Sequence, residues 1–190
     1  MNHLLIYTHL NPGSFTKAVS DEVTKTVEAE GHDVKTIDLY QDKFNPVLEF
    51  IDIEHMFMGK EAPADVKKYQ EMISWADKLV FVYPLWWGQM PAMLKGFIDR
   101  VFTNGYAFVY TETGADGLLK GKTAHTFLNS GGSNEMLEMS GMQSAITKIH
   151  SDSIFGFCGM EAKITFFGNV ASGTDEERKA YLSSVKGHLA

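Results

Sequence analysis

The chain has 190 residues, of which 44% are hydrophobic and 22% charged, the balance of an ordinary globular protein and not of a disordered, fibrous or bilayer-embedded one. With 17 Lys and Arg against 24 Asp and Glu the net charge is −7, and no basic cluster stands out, which excludes a nucleic-acid footprint and makes anionic membranes poor partners. The single cysteine, Cys158, rules out an internal disulfide and a cysteine-rich zinc site; its neighbours Ile154, Phe155, Phe157 and Met160 mark it as a buried thiol.

Met1-Asn2-His3-Leu4-Leu5-Ile6-Tyr7 lacks the basic and apolar regions of a signal peptide. No apolar run approaches the ~20 residues that cross a bilayer, so a cytoplasmic protein without direct membrane insertion is expected. Leu4 to Tyr7 reads as a first strand. After the loop His9 to Ser14, the apolar residues Phe15, Val19, Val23 and Val27 recur at helical spacing, and Gly31 ends that helix. Asp33 to Leu39 is a second strand. Tyr40 to Gly59 is irregular apart from a short helix around Ile53 to Met58, and Ala64 to Ala76 is helical, with Val66, Tyr69, Ile73 and Ala76 on one face.

Leu79-Val80-Phe81-Val82-Tyr83 is uniformly apolar, which predicts a strand buried on both sheet faces. Pro91 to Phe102 follows as a helix with proline in its first turn. Lys122 to Leu128 and Ala162 to Phe167 read as the fourth and fifth strands, with a helix over Met142 to Phe157 between them and another over Asp175 to His188. Alternation of strand and helix predicts a single α/β domain over 1–190, a three-layer flavodoxin-like arrangement of five parallel strands in the order 2-1-3-4-5 with helices on both faces. Ligands in such sheets bind beyond the carboxyl ends of the strands that flank the switch point, here strands 1 and 3.

The loops that converge there have unusual compositions. Pro84-Leu85-Trp86-Trp87-Gly88-Gln89-Met90-Pro91 places adjacent tryptophans at a strand end, where both cannot point into one core. A wall for something flat and aromatic is the functional reading; a buried aromatic anchor is the bland one. In the first loop Ser14 suits a helix N-cap, and the free N–H groups of a helix start make an anion site, although a capped helix alone explains the same residues. Asn129-Ser130-Gly131-Gly132 offers paired glycines that admit a planar ligand to the main chain, or an ordinary turn. Together the loops suit a heteroaromatic ring carrying a phosphate, the shape of flavin mononucleotide (FMN).

Other motifs fail. Gly117 to Thr123 imitates a Walker A loop, but its first glycine is one residue too close and it leads into a strand, so it is a basic turn. There is no Gly-x-Gly-x-x-Gly fingerprint and no Gly-x-Ser-x-Gly elbow. The 7 histidines form no His-x-x-x-His pair, so no metal is expected. Met136, Met139 and Met142 read as ordinary packing, or else as an adaptable pocket lining.

With these residues in view the chain resembles the flavodoxin-like NAD(P)H:quinone oxidoreductase family over nearly its whole length. The resemblance rests on His9, Pro12, Ser14 and Phe15, on Pro84 to Gly88, on Met90 to Gly96, on Asp99-Arg100-Val101, on Tyr106-Ala107-Phe108, on Gly117 to Lys122 and on Phe157-Cys158-Gly159. It implies a flavin enzyme, with FMN favoured over FAD for want of an adenine site, that passes two electrons from NAD(P)H to a quinone or similar flat acceptor by ping-pong exchange. His9, Ser14, Phe15 and Thr16 would hold the phosphate side, Pro84, Leu85, Trp86, Trp87 and Gly88 the ribityl chain and ring, and Asn129, Ser130, Gly131 and Gly132 the polar edge. It also implies a homodimer with the site at the subunit interface.

Leu10 stands where the family usually has proline and Thr16 where asparagine is common. Leu137 replaces the family's tyrosine after the glycine pair, and no histidine follows before His150, so no acid–base side chain is assigned. Two other readings compete: a flavin-binding ancillary subunit of a potassium efflux system, and an electron-carrier flavodoxin, which the lack of a Thr-rich phosphate loop disfavours.

Overall fold

A computed structural model describes residues 1–189. In chain order, β1 (Asn2–Tyr7) leads to α1 (Phe15–Ala29), β2 (Asp33–Asp38), α2 (Phe50–Met58), α3 (Ala64–Trp75), β3 (Lys78–Pro84) and α4 (Ala92–Val101). A hairpin of β4 (Phe108–Thr111) and β5 (Gly114–Gly117) precedes β6 (Thr123–Asn129), α5 (Asn134–Met139), α6 (Met142–Lys148), β7 (Glu161–Phe167) and α7 (Asp175–Leu189). The sheet order is β2-β1-β3-β6-β7, parallel throughout. It is the expected 2-1-3-4-5 arrangement, because the β4–β5 hairpin stands outside the sheet as a separate antiparallel pair.

The apolar runs of β1 and β3 supply both faces. Leu4, Ile6, Leu79, Phe81 and Tyr83 face a core shared with Tyr69, Ile73, Leu94, Phe97, Ile146 and Phe155. Leu5, Val80 and Val82 face the other, against Val19, Val23 and Val27 of α1 and Val185 and Leu189 of α7. Alternation along each strand thus divides one hydrophobic run between two helical layers.

The irregular segment before α2 is anchored by charge. Arg100, buried on α4, forms a two-pronged ion pair with buried Asp52 (3.0 and 3.1 Å), reaches Asp65 at 2.7 Å and donates to the Asn45 carbonyl at 2.8 Å. Asp52 also caps the start of α2 by accepting from the Glu49 N–H at 2.8 Å. This capping box starts the helix at Phe50, three residues before the Ile53 expected from periodicity.

Three further departures have local causes. The expected helix over Met142 to Phe157 is α-helical only to Lys148; it widens into a π-helix over Ile149–Phe155 and tightens into a 3-10 turn over Gly156–Cys158. Gly156 is needed there, since a Cβ would lie 2.0 Å from the Ser151 carbonyl oxygen. Met136 and Met139 are not core packing: both are strongly exposed on the short α5, which ends at Ser140–Gly141, and Met142 is partly exposed. The β4–β5 hairpin was not expected, and its Gly117 packs where a Cβ would be 2.1 Å from the Gly159 nitrogen. Cys158 is buried as expected, and desolvation pushes its thiol up to about 12, the character of an inert core residue. Among the described residues no helix is long and apolar enough to cross a membrane.

Candidate functional site

The carboxyl ends of β1, β3 and β6 lie level, with Tyr7 beside Val82 and Pro84 beside Asn129. Three loops leave the sheet there. In the first, the Asn11 N–H donates to His9 Nδ1 at 3.0 Å and the Gly13 N–H to Asn11 Oδ1 at 2.9 Å, a self-bonded turn that delivers Ser14 to the start of α1. The same His9 Nδ1 lies 3.3 Å from the Asn11 carbonyl oxygen, so both main-chain polar groups of Asn11 face the imidazole. Ser14 is the N-cap, its Oγ accepting from the Lys17 N–H at 3.1 Å. The N–H groups of Phe15 and Thr16, in the first turn, have no carbonyl one turn back to bond and lie at the positive end of the helix dipole. Lys17 is paired with Asp21 along the helix, so an anion here would be held mainly by backbone dipoles.

The second loop is a tight turn. Trp86 and Gln89 exchange two main-chain hydrogen bonds of 3.0 Å, and the residues between them, Trp87 and Gly88, have φ of 53° and 72°. Positive φ at both central positions marks a type I′ turn, where glycine is at ease and a bulky residue is not. Holding Trp87 there costs on the order of 1–2 kcal/mol. The turn stands the Trp87 side chain fully in solvent (relative exposure 103%), with Trp86 also exposed. The buried-anchor reading of these tryptophans is therefore excluded. Trp86 approaches His9, ring centroids 5.9 Å apart, which joins the first and second loops.

The third loop is tied to both others. Asn129 accepts from the Leu85 N–H at 2.7 Å through its carbonyl, and its side-chain Nδ2 donates to Thr16 Oγ1 at 3.2 Å. Ser130 turns inward to accept from the Gly132 N–H at 3.1 Å. Above Gly131 nothing lies within 4 Å of a Cβ position, and above Gly132 the nearest atom is 3.7 Å away, so the glycine pair leaves its main chain open. Asn129 Oδ1 is buried without a hydrogen-bond partner, an acceptor that still needs a donor.

The expected residues are thus brought together, in unequal roles. His9, Ser14, Trp86, Trp87, Gly88, Gly131 and Gly132 line the open rim; Pro84, Thr16, Asn129 and Ser130 are buried and brace it. Leu85 is half-buried in the core below. Phe15 differs: its ring packs edge-on to Phe167 and against Tyr181, between α1 and α7, so only its main chain is available at the helix start. Two further contributors lie outside the expected site residues, Met142 being read from sequence only as packing or an adaptable pocket lining. Met142 lies over Gly88, with Sδ 3.4 Å from a Cβ position, and Tyr83 with His150 forms a buried hydrogen-bonded pair below the tryptophan turn.

A doubly wound parallel sheet with three bonded loops at its switch point is the arrangement in which α/β proteins of this class bind their ligands. Residues 1–189 match the family described by its flavodoxin-like fold. An uncharacterized NAD(P)H oxidoreductase of Haemophilus influenzae is 34% identical over 185 residues, covering 96% of this chain and 91% of its own. An FMN-dependent NADH:quinone oxidoreductase of Caldicellulosiruptor bescii is 35% identical, covering 83% and 81%. The solved NAD(P)H:quinone oxidoreductase of Methanothermobacter marburgensis superposes with a TM-score of 0.90 at 28% identity, over 98% of this chain and 96% of that one. The chain belongs to the flavodoxin-like NAD(P)H:quinone oxidoreductase family, and the enzyme class expected from the sequence, an oxidoreductase, stands with it.

Proposed function

We propose that the chain is an FMN-dependent NAD(P)H oxidoreductase that delivers two electrons to a quinone or a similarly flat acceptor. The observation that carries the reading is the strained Trp86–Gln89 turn, which exposes Trp87 on a loop bonded through Leu85 and Asn129 to the glycine-pair loop and through Thr16 to the α1 N-terminus. The residues suit the cofactor: an aromatic wall for the ring, a glycine cradle that any Cβ would narrow, the orphaned Asn129 Oδ1, and a helix start for the phosphate.

When bound, FMN supplies two-electron chemistry, taking hydride from NAD(P)H and yielding the pair to the acceptor in a ping-pong exchange. The chain's own part is position. Phe15 and Thr16 N–H groups and the Ser14 hydroxyl would hold phosphate, with the His9 imidazole at the same end. Trp86 and Trp87 would grip flat ligands by stacking and shed water from the ring face.

The same reading includes a homodimer in the cytoplasm. Val47, Leu48, Phe50, Ile51, Phe57 and Met58 are all exposed on and before α2, a run of apolar surface suited to a partner copy. A lone buried cysteine suits a reducing compartment. The test is anaerobic addition of NADPH, then NADH, to FMN-reconstituted protein while the flavin band is followed. Bleaching that a quinone reverses is expected; bound flavin that neither donor reduces would overturn the reading.

A further inference from the structure

Tyr83 is the last residue of β3 before Pro84, and its hydroxyl is the one polar side-chain group in Leu79-Val80-Phe81-Val82-Tyr83. The side chain is 1% exposed. An unpartnered hydroxyl at such a place costs about 1–3 kcal/mol. Its partner is Nε2 of His150, itself 3% exposed, and the two rings lie nearly parallel, centroids 6.2 Å apart.

The protonation state follows from the second nitrogen. His150 Nδ1 lies 2.8 Å from the Ile146 carbonyl oxygen, which can only accept, so Nδ1 carries the proton. Nε2 then offers a lone pair, and the Tyr83 O–H donates to it. Both groups are satisfied in one tautomer only. Burial lowers the His150 pKa and raises that of Tyr83, so each keeps the neutral form this bond requires.

What the pair joins is more informative than the bond itself. His150 sits where α6 passes into the π-helix. At the other end of α6, Met142 lies over Gly88, inside the tryptophan turn. The two residues are eight positions apart, a span of about 12 Å in a helix. One helical segment therefore touches the Trp86–Gln89 turn from above and the strand that launches it from below.

We infer that Tyr83 and His150 form a latch that fixes α6 against β3 and so sets the position of the Trp86–Gly88 wall over the ligand face. They touch no ligand and are positioning residues. The inference rests on the flavin reading above for the ligand concerned, but the latch itself is a property of the free chain. A purely structural pair would change stability and leave the tryptophans where they are.

Two measurements separate these accounts, both in a Trp75→Phe background that leaves Trp86 and Trp87 as the only indole reporters. The first is acrylamide quenching and emission of the ligand-free protein; the second is FMN titration by flavin fluorescence. Tyr83→Phe removes one oxygen and is the principal variant. His150→Leu removes the acceptor, and His150→Gln restores one, since its amide oxygen can still accept from Tyr83.

The latch predicts altered quenching in Tyr83→Phe and His150→Leu, a rise of about tenfold in the FMN Kd, and recovery of most of both in His150→Gln. Wild-type quenching and wild-type Kd in Tyr83→Phe, whatever its melting temperature, would overturn it. Should His150→Leu fail to fold, Tyr83→Phe decides alone. If the parent protein takes up no FMN, the flavin reading fails, while quenching in the ligand-free protein still decides whether the latch exists.

Discussion

Thr16 and Asn129 meet in the buried seam between α1 and β6, Asn129 Nδ2 donating to Thr16 Oγ1 at 3.2 Å. Their separation of 113 positions makes this contact a clamp between the first and third loops of the site. Replacing Thr16 by Val keeps the shape and removes the acceptor. Asn129 would then have both side-chain ends unpartnered, because Oδ1 already lacks a donor. The expected loss is about 1–3 kcal/mol in urea unfolding of the ligand-free protein, with FMN binding weakened in parallel. An unchanged unfolding curve would show that the clamp carries no free energy.

Trp87 separates function from stability. Its φ of 53° suits glycine, so Trp87→Gly is expected to leave the fold unharmed or to stabilise it by up to about 1 kcal/mol. FMN retention should fall sharply in the same variant, because the proposed function assigns the ring wall to the exposed indole. A thermal melt and a cofactor titration on one preparation check both halves. Loss of stability together with binding would mean that the indole packs against something in solution.

His125 predicts an acid-sensitive fold. Burial first, then the positive neighbours Lys163, His188 and Lys78, lower its pKa from 6.5 to about 3. Its Nε2 lies 2.9 Å from Thr165 Oγ1 and its ring stacks on Phe127, so the neutral form is built in. Between those two values the unfolded chain binds a proton that the native state refuses. Stability from this group is therefore complete above the unfolded pKa of 6.5 and is lost as pH falls toward the folded value, at about 1.4 kcal/mol per unit. Urea melts at pH 7 and pH 5 should show the wild type losing about 2 kcal/mol more than His125→Asn over that interval.

Arg100 ties α4 to α2 through Asp52 and to α3 through Asp65, and holds the segment before α2 by the Asn45 carbonyl. Removing it leaves Asp52, 1% exposed, as a buried carboxylate without its ion-pair partner. Arg100→Leu is expected to cost about 3–5 kcal/mol by denaturant melt. Asp65→Asn should cost much less, since that carboxylate is 46% exposed and solvent can take the partner's place. Comparable losses in the two variants would contradict the ranking.

The sheet was legible because its signals are local. The uniform apolar run of β3 and the fourfold spacing in α1 need no tertiary context. The hairpin was not, for Gly114-Ala115-Asp116-Gly117 has no strand preference and is held by contact of Gly117 with the Cys158–Gly159 backbone. Met136, Met139 and Met142 carry a helical spacing that looks like a core face. The break at Gly141, with φ of 73°, separates them onto two short helices and leaves them outside. The π-helix is invisible to periodicity, since its side chains are those of an α-helix and only the hydrogen-bond register differs. In the site, the composition of the loops announced exposed tryptophans and an open glycine main chain, whereas the inward turns of Phe15, Thr16 and Asn129 depended on neighbours more than a hundred positions away.

That π-helical stretch has a bearing on how this fold changes length. A widened turn is what an α-helix becomes when it absorbs one extra residue without unravelling. Losing a single codon between Ile149 and Phe155 would let the segment close to ordinary α register, with β7 still in place. His150 would then swing away from Tyr83. A place where the chain can gain or shed a residue thus coincides with the proposed latch beneath the tryptophan turn, so insertion and deletion, as much as substitution, are a route for retuning the cleft in descendants of this chain.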